Sequence, residues 1–403
     1  MREANKRLEP KRPWALICVL SGLSMLGAFS IDAYLPSFGA IAVAFHVDRA
    51  AVQHSLTIYL LTFAVMMMFY GTLSDTFGRR RVILISIVGY LIGSLAGAFA
   101  SSYSALLVAR ALQGLSAGAG AVVGSAVVRD LYPGSPGQKM MAYVKLVFSI
   151  APAVAPVIGG WLEVWFGWRA VFVFLALAAV AILLATFRVL PESLPEESRQ
   201  PLHFGLILRN YLRVARHRSF MLQVLAIGFS FGGFSLYVST ASDFVMNVLH
   251  LPETAFAWLF IPIIIGMSSG SLVSARLAGK LSARQVVVLA YAVMGASALV
   301  NLGYVTLWVP TVPWAVCAPM VYMFGISLAN PTMTLKAMDQ FPQMRGMAAS
   351  FQGFIQMILF AAVSGLVAPL VFGDARKLAL GLMVGWTLSG LCWWLSSRVA
   401  RAS

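Results

Sequence analysis

Polar positions along this chain come in short groups, and apolar positions come in runs far longer than a strand or a few helical turns. A helix that crosses the hydrocarbon of a bilayer needs roughly 20 mainly apolar residues. Runs of that length lie near 14–44, 51–73, 82–100, 105–129, 140–163, 169–190, 220–246, 254–275, 286–306, 313–335, 347–371 and 378–397. The pattern predicts an all-α membrane protein of about twelve transmembrane helices. The first run is over-long, and Pro36 supplies a kink inside it, because proline removes an intrahelical hydrogen bond. Only one connection is long, 191–219, and it falls at the centre of the chain. The expected organisation is an arm at 1–13, a six-helix bundle at 14–190, a linker at 191–219, a second six-helix bundle at 220–397 and a tail at 398–403. A repeat supports two pseudo-symmetric halves: GAFSI at 27–31 in the first span returns as GGFSL at 232–236 in the seventh. Repeats of this kind hold their substrate near the bilayer midplane.

Composition sharpens the class. Of 403 residues 60% are apolar and only 11% charged, where a soluble domain carries about a quarter. A net charge of +15 would suit nucleic acid, but the basic residues sit in clusters between apolar runs, so no nucleic-acid partner is expected. Those clusters set the orientation instead. Of 29 Lys and Arg, 23 fall on the side of the arm, the linker and the tail. Four (Arg49, Arg169, Arg376, Lys377) fall on the other, and Arg110 and Lys145 lie inside spans. Cytoplasmic loops carry such an excess. A multi-pass protein of the cell inner membrane with both termini cytoplasmic is therefore expected. The basic arm leads into an apolar run too long for the core of a cleavable leader. Cys18, Cys317 and Cys392 are far apart and the five histidines lie in or near loops, so neither a metal site nor a disulfide framework is indicated.

Four short stretches carry candidate chemistry. GTLSDTFGRRR at 71–81 joins the second and third spans. Gly71 there suits a close helix approach and Gly78 a left-handed turn, while Asp75 and Arg79–Arg81 offer charges to a helix end, to headgroups or to each other. In RALQGLSAGAG at 110–120, Arg110 lies well inside an apolar helix, where a lone cation costs about 2.5–3.5 kcal/mol on an insertion scale. In APAVAPVIGGW at 151–161, Pro152 and Pro156 each remove an intrahelical bond, and Gly159 and Gly160 remove bulk. Finally, Asp32 in SIDAYLP places a carboxylate in a segment that otherwise avoids water.

The loop's G-x-x-x-D-x-x-G-R-R spacing resembles the signature of the major facilitator superfamily, and Asp130 in VVRDLYP stands where that signature's partner acid is expected. The resemblance implies a gate latch formed by Gly71, Asp75, Gly78, Arg79, Arg80 and Asp130. Arg110 is similar to the superfamily's fourth-span arginine. The fifth-span stretch resembles the antiporter motif of drug:proton antiporters, with Ala155 in place of its first glycine. SIDAYLP, RDLYP and MDQFPQMRGMAASFQG at 338–353 look like the Bcr/CflA multidrug-resistance subfamily, and the likeness runs from end to end. It implies the facilitator fold and export of small organic compounds, driven by the proton gradient with no cofactor.

Asp32 then acquires a task. Desolvation favours a neutral carboxyl and a nearby cation favours a charged one, so Asp32 is expected to exchange a proton with Arg110 as its counter-ion. The alternative is that Asp32 only binds substrate or closes a structural pair with Arg110. Tyr34, Tyr59, Lys145, Tyr237, Asn330, Gln352 and Gln356 are the further polar residues expected to line a cavity, each of which also suits an interhelical hydrogen bond. Asp243 and Glu163 are expected at the interface. The expected partners are a small-molecule substrate, protons and membrane lipid, with the chain acting as a monomer. A proton-coupled carrier dedicated to one metabolite class, such as a nucleoside, amino acid or sugar derivative, fits the same residues. An enzyme is not expected, since no convergent acid, base, metal or nucleophile set lies at one depth. A channel lacks its rings or filter loop, and an ATP-driven pump lacks its phosphate loop.

Overall fold

The computed structural model describes residues 13–202 and 204–402. The arm expected at 1–13 therefore lies, except for Pro13, outside the described residues. The first half runs α1 (Pro13–Asp32), a 3-10 turn at Leu35–Ser37, α2 (Phe38–Phe45), α3 (Arg49–Phe77), α4 (Arg79–Ala98) and α5 (Tyr103–Ala117). It continues with α6 (Ala119–Leu131), α7 (Ser135–Phe148), α8 (Ala151–Phe166) and α9 (Arg169–Val189). The linker contains a helix of its own, α10 (Phe204–Arg216). The second half runs α11 (Arg218–Ser239), α12 (Ala257–Leu277), α13 (Ala283–Leu307), α14 (Trp314–Met338), α15 (Arg345–Ala362) and α16 (Ala375–Ala402). Among the described residues the one β-type pairing is an isolated bridge between Ala278 and Leu281.

Among the described residues eleven helices are long and apolar enough to cross a membrane, with α1–α2, α5–α6 and α7–α8 each counting as one interrupted helix. The 25 residues of α14 are as long but more polar, with Pro319, Asn330, Pro331 and Lys336 inside them. The helices start where the chain supplies a partner for their orphan N–H groups. The Ser102 hydroxyl accepts from the Ala105 N–H at α5, and Ser282 forms a reciprocal cap with Gln285 at α13. The kink expected at Pro36 falls slightly earlier: α1 ends at Asp32, and Pro36 lies in the 3-10 turn that follows. The expected tail at 398–403 continues α16 through Ala402.

The described residues form two compact units, one of those up to 47 together with those from 58 to 204, the other of 48–57 together with those from 205 on. Each repeats the same packing. In the first, α1 packs on α6, α7, α8 and α9, and α4 packs on α5 and α9. In the second, α11 packs on α14, α15 and α16, and α13 packs on α14 and α16. The second span meets the fourth in both units: a methyl on Gly114 of α5 would overlap the Tyr59 carbonyl of α3, and one on Gly266 of α12 the Met320 carbonyl of α14. Small residues let backbones meet where lipid gives no hydrophobic drive between helices. The fold is that of two pseudo-symmetric six-helix bundles.

Candidate functional site

Asp32 ends α1, is 6% exposed and receives no ion pair or hydrogen bond among the described residues. The chain turns directly after it. Ala33 and Tyr34 lead into the 3-10 turn, and α8 presses on that turn through Gly159, where a Cβ would stand only 2.1 Å from the Ala33 carbonyl oxygen. Any side chain at 159 would push α8 off the turn that presents Asp32. Pro156 lies inside α8, whereas Pro152 lies in its first turn, where its missing N–H costs nothing. Of the two prolines expected to remove a bond, only Pro156 does so. Gly160 is buried on the same helix.

Arg110 in α5 is fully buried. Its Cζ lies 4.4 Å from the ring centres of both Tyr34 and Tyr59, so the guanidinium is flanked by two aromatic rings. Its Nη1 donates to Gln113 Oε1 at 2.8 Å, and Gln113 Nε2 donates to Ser94 Oγ at 2.9 Å. Its Nε and Nη2 donate to nothing among the described residues. The structure does not join Asp32 and Arg110 in an ion pair; the Tyr59 hydroxyl donates to the Gly27 carbonyl at 3.0 Å. Burying the cation costs about 2.5–3.5 kcal/mol on the insertion scale. Two desolvated cation–π contacts of about 2 kcal/mol each offset that without a carboxylate. Arg110 is thus held in place with two donors still free.

The 71–81 loop forms a charged knot in the same unit. Gly78 has φ 94°, the left-handed region that its position requires. Arg79 turns inward to 8% exposure. Its Nη1 pairs with Asp75 and donates to Ser74 Oγ at 2.6 Å, and its Nε pairs with Asp130 Oδ2 at 3.1 Å. Arg80 turns the other way, donating to the Phe187 carbonyl at 2.8 Å and covering the Phe187 ring. The close approach expected at Gly71 is absent, because nothing lies within 4 Å of a Cβ there.

Of the remaining expected cavity residues, Tyr237 and Asn301 pair in the second unit, the amide donating to the phenol at 2.7 Å. Gln352 donates to Thr334, which donates to Asn330, both at 3.1 Å, and this ties α15 to α14. Gln356 is half-buried, and Lys145 is exposed on α7. Asp243 departs from expectation. It is buried, bound by the Gly373 N–H at 2.6 Å and by Asn247 at 2.7 Å, and paired with Arg49 at 3.6 Å.

The model of the Major Facilitator Superfamily matches residues 17–369. This chain belongs to that superfamily. It is 29% identical to the bicyclomycin resistance protein homolog of Haemophilus influenzae, over 97% of this chain and 98% of the relative. It is 27% identical to multidrug resistance protein D of Escherichia coli, over 94% of each. The crystal structure of a D-xylose-proton symporter superposes with a TM-score of 0.73 at 14% identity, covering 94% of this chain and 97% of that one. These matches agree with the Bcr/CflA resemblance that the motifs carry.

In this facilitator the residue that sequence reasoning missed is Glu192. Its carboxylate accepts the backbone N–H groups of Arg79 at 2.9 Å, Arg80 at 3.2 Å and Leu194 at 3.1 Å. It thereby caps the N-terminus of α4, favourable for an anion at the positive end of the helix dipole. Ser193 donates to Asp130 at 3.0 Å and the Gln200 N–H to the Asp75 carbonyl at 3.1 Å, so the start of the linker straps the knot. An acid directly after the last residues of a span, on the side rich in arginine, was the available signal. Gln113, three residues beyond Arg110, was another.

Proposed function

We propose that this protein exports small organic compounds, of the class of antibiotics and drug-like molecules, in exchange for protons. The observation that carries the reading is Asp32, a buried acid with no partner among the described residues, at the end of α1 and two residues before Tyr34, whose ring lies against Arg110. An unpaired carboxyl in that position gains a proton at little cost when access opens to the acidic side, and loses it when a cationic group of the substrate or Arg110 comes near. Proton and substrate then compete for one carboxylate, which is the minimum that antiport requires. Both rings and Gln113 restrain Arg110, so its guanidinium stays in place. The knot at Arg79 and its Glu192 strap serve as the latch that favours one packing over another. The names of the two relatives above, bicyclomycin and multidrug resistance, support a drug as cargo over a dedicated metabolite carrier. In this reading the cargo leaves chemically unchanged, no cofactor takes part, the monomer is the working unit, and arm and linker face the cytoplasm of a bacterial inner membrane.

The test is proton movement in liposomes that hold the purified protein and a pH dye, challenged with a panel of antibiotics and nucleosides. Wild type should move protons with at least one antibiotic, and Asp32→Asn should bind that compound but move none. Undiminished coupling in Asp32→Asn, or movement with nucleosides alone, would overturn the proposal.

A further inference from the structure

Helix α10 in the linker is divided lengthwise into three stripes, each one residue further round than the last. Ile207, Tyr211 and Val214 are buried, and the Tyr211 ring lies 5.9 Å from that of Phe351 in α15, so this stripe seats the helix on the second unit. Leu208 and Leu212 form the next stripe, yet they are 61% and 45% exposed. Arg209, Arg213 and Arg216 form the third, and all three are exposed. Residues separated by three or four positions share a helix face, so the leucines stand between the buried stripe and the arginines. Residues 204–218 contain four arginines and no acid. His217, with ψ 100°, breaks the helix before Arg218 begins the spanning helix α11. Helix α10 therefore ends two residues before a spanning helix begins.

We propose that α10 is a membrane-surface anchor. Leu208 and Leu212 enter the acyl edge of the leaflet on the linker's side, and Arg209, Arg213 and Arg216 bind the phosphates of its anionic phospholipids. The charge supplies the choice of occupant. A protein partner would need acids to meet three arginines, whereas an anionic leaflet already lies beside the end of α11. An amphipathic helix with leucine on one face and arginine on the next is the form that binds at such interfaces. Each arginine near an anionic surface strengthens partition about fivefold, so removing three should weaken it on the order of a hundredfold.

The experiment places an environment-sensitive fluorophore on Leu212→Cys, in full-length protein whose Cys18, Cys317 and Cys392 are serine. The protein is reconstituted in nanodiscs of phosphatidylcholine alone, or of phosphatidylcholine with phosphatidylglycerol, each with and without a chain-labelled quencher lipid. In discs with phosphatidylglycerol the emission should shift to the blue and the lipid should quench it. Raised salt and the triple change Arg209→Gln, Arg213→Gln and Arg216→Gln should each reverse both effects. A Leu208→Cys label gives the same reading where the first label unseats the helix. Emission that stays water-like and unquenched at both positions overturns the proposal, as does quenching equal in the two lipids and indifferent to the triple change.

Discussion

Removing the Glu192 carboxylate should loosen the start of α4 while leaving the rest of the first unit intact. Three backbone N–H groups end on that carboxylate, and those of Arg79 and Arg80 have no intrahelical acceptor to return to. Loss of a side-chain cap costs about 0.5–2 kcal/mol, and loss of an anion at a helix N-terminus a further 0.3–1 kcal/mol or so. Water reaches the half-buried site and replaces part of what is lost, so Glu192→Ala should cost on the order of 1–3 kcal/mol locally. At tenfold per 1.4 kcal/mol, amide exchange over 79–82 should accelerate roughly five- to 150-fold. Glu192→Gln should fall between, since one carbonyl oxygen can still serve Arg79 and Leu194 but the Arg80 bond and the charge are gone. The assay is hydrogen exchange read by mass spectrometry on protein in nanodiscs, comparing peptides over 79–82 with peptides over α5. Unchanged exchange at 79–82 in Glu192→Ala would refute the strap. So would acceleration spread evenly over both sets, which would signal global loosening instead.

Arg110→Lys keeps the charge but replaces a planar group lying over two rings with a point, so it should lower the melting temperature and reduce transport at least about tenfold. Transport at the wild-type rate would show that the aromatic cage is incidental. Gly159→Ala sets a methyl 2.1 Å from the Ala33 carbonyl, and overpacking of that kind costs about 1–3 kcal/mol. Gly71→Ala meets nothing and should melt and transport as wild type, so equal effects from the two alanines would refute the packing argument. Asp130→Asn removes one of the two acids on Arg79 at a partly exposed site and should cost only about 0.5–1 kcal/mol in a thermal melt, less than Glu192→Ala.

What the sequence made legible was local. A run of about 20 apolar residues is a property of neighbours, so the spans could be counted before any contact was known. Gly78 was legible for the same reason, since a positive φ is decided within one turn. The failures were tertiary. Gly71 was expected to meet another helix because glycine in a spanning helix often does, yet only the packing partner decides that, and there is none. Tyr34 and Tyr59 lie 25 residues apart in the chain, and nothing local shows that both rings lie against Arg110. Glu192 looked like any acid in a polar linker until α4 was seen to begin beneath it.

The two halves carry the remaining lesson, because they share a scaffold and differ in charge. Two residues after the shared serine of GAFSI and GGFSL, the first unit places Asp32 and the second places Tyr237. Tyr237 is met by Asn301, whose amide donates to the phenol, a pair of uncharged side chains. The second unit does bury an acid, Asp243, but Gly373, Asn247 and Arg49 bind it from three directions. Those contacts hold several segments together. Asp32 has none of the kind among the described residues. Burial alone does not separate the two acids, since both are buried; what separates them is unmet bonding capacity, which among the described residues Asp32 has and Asp243 does not.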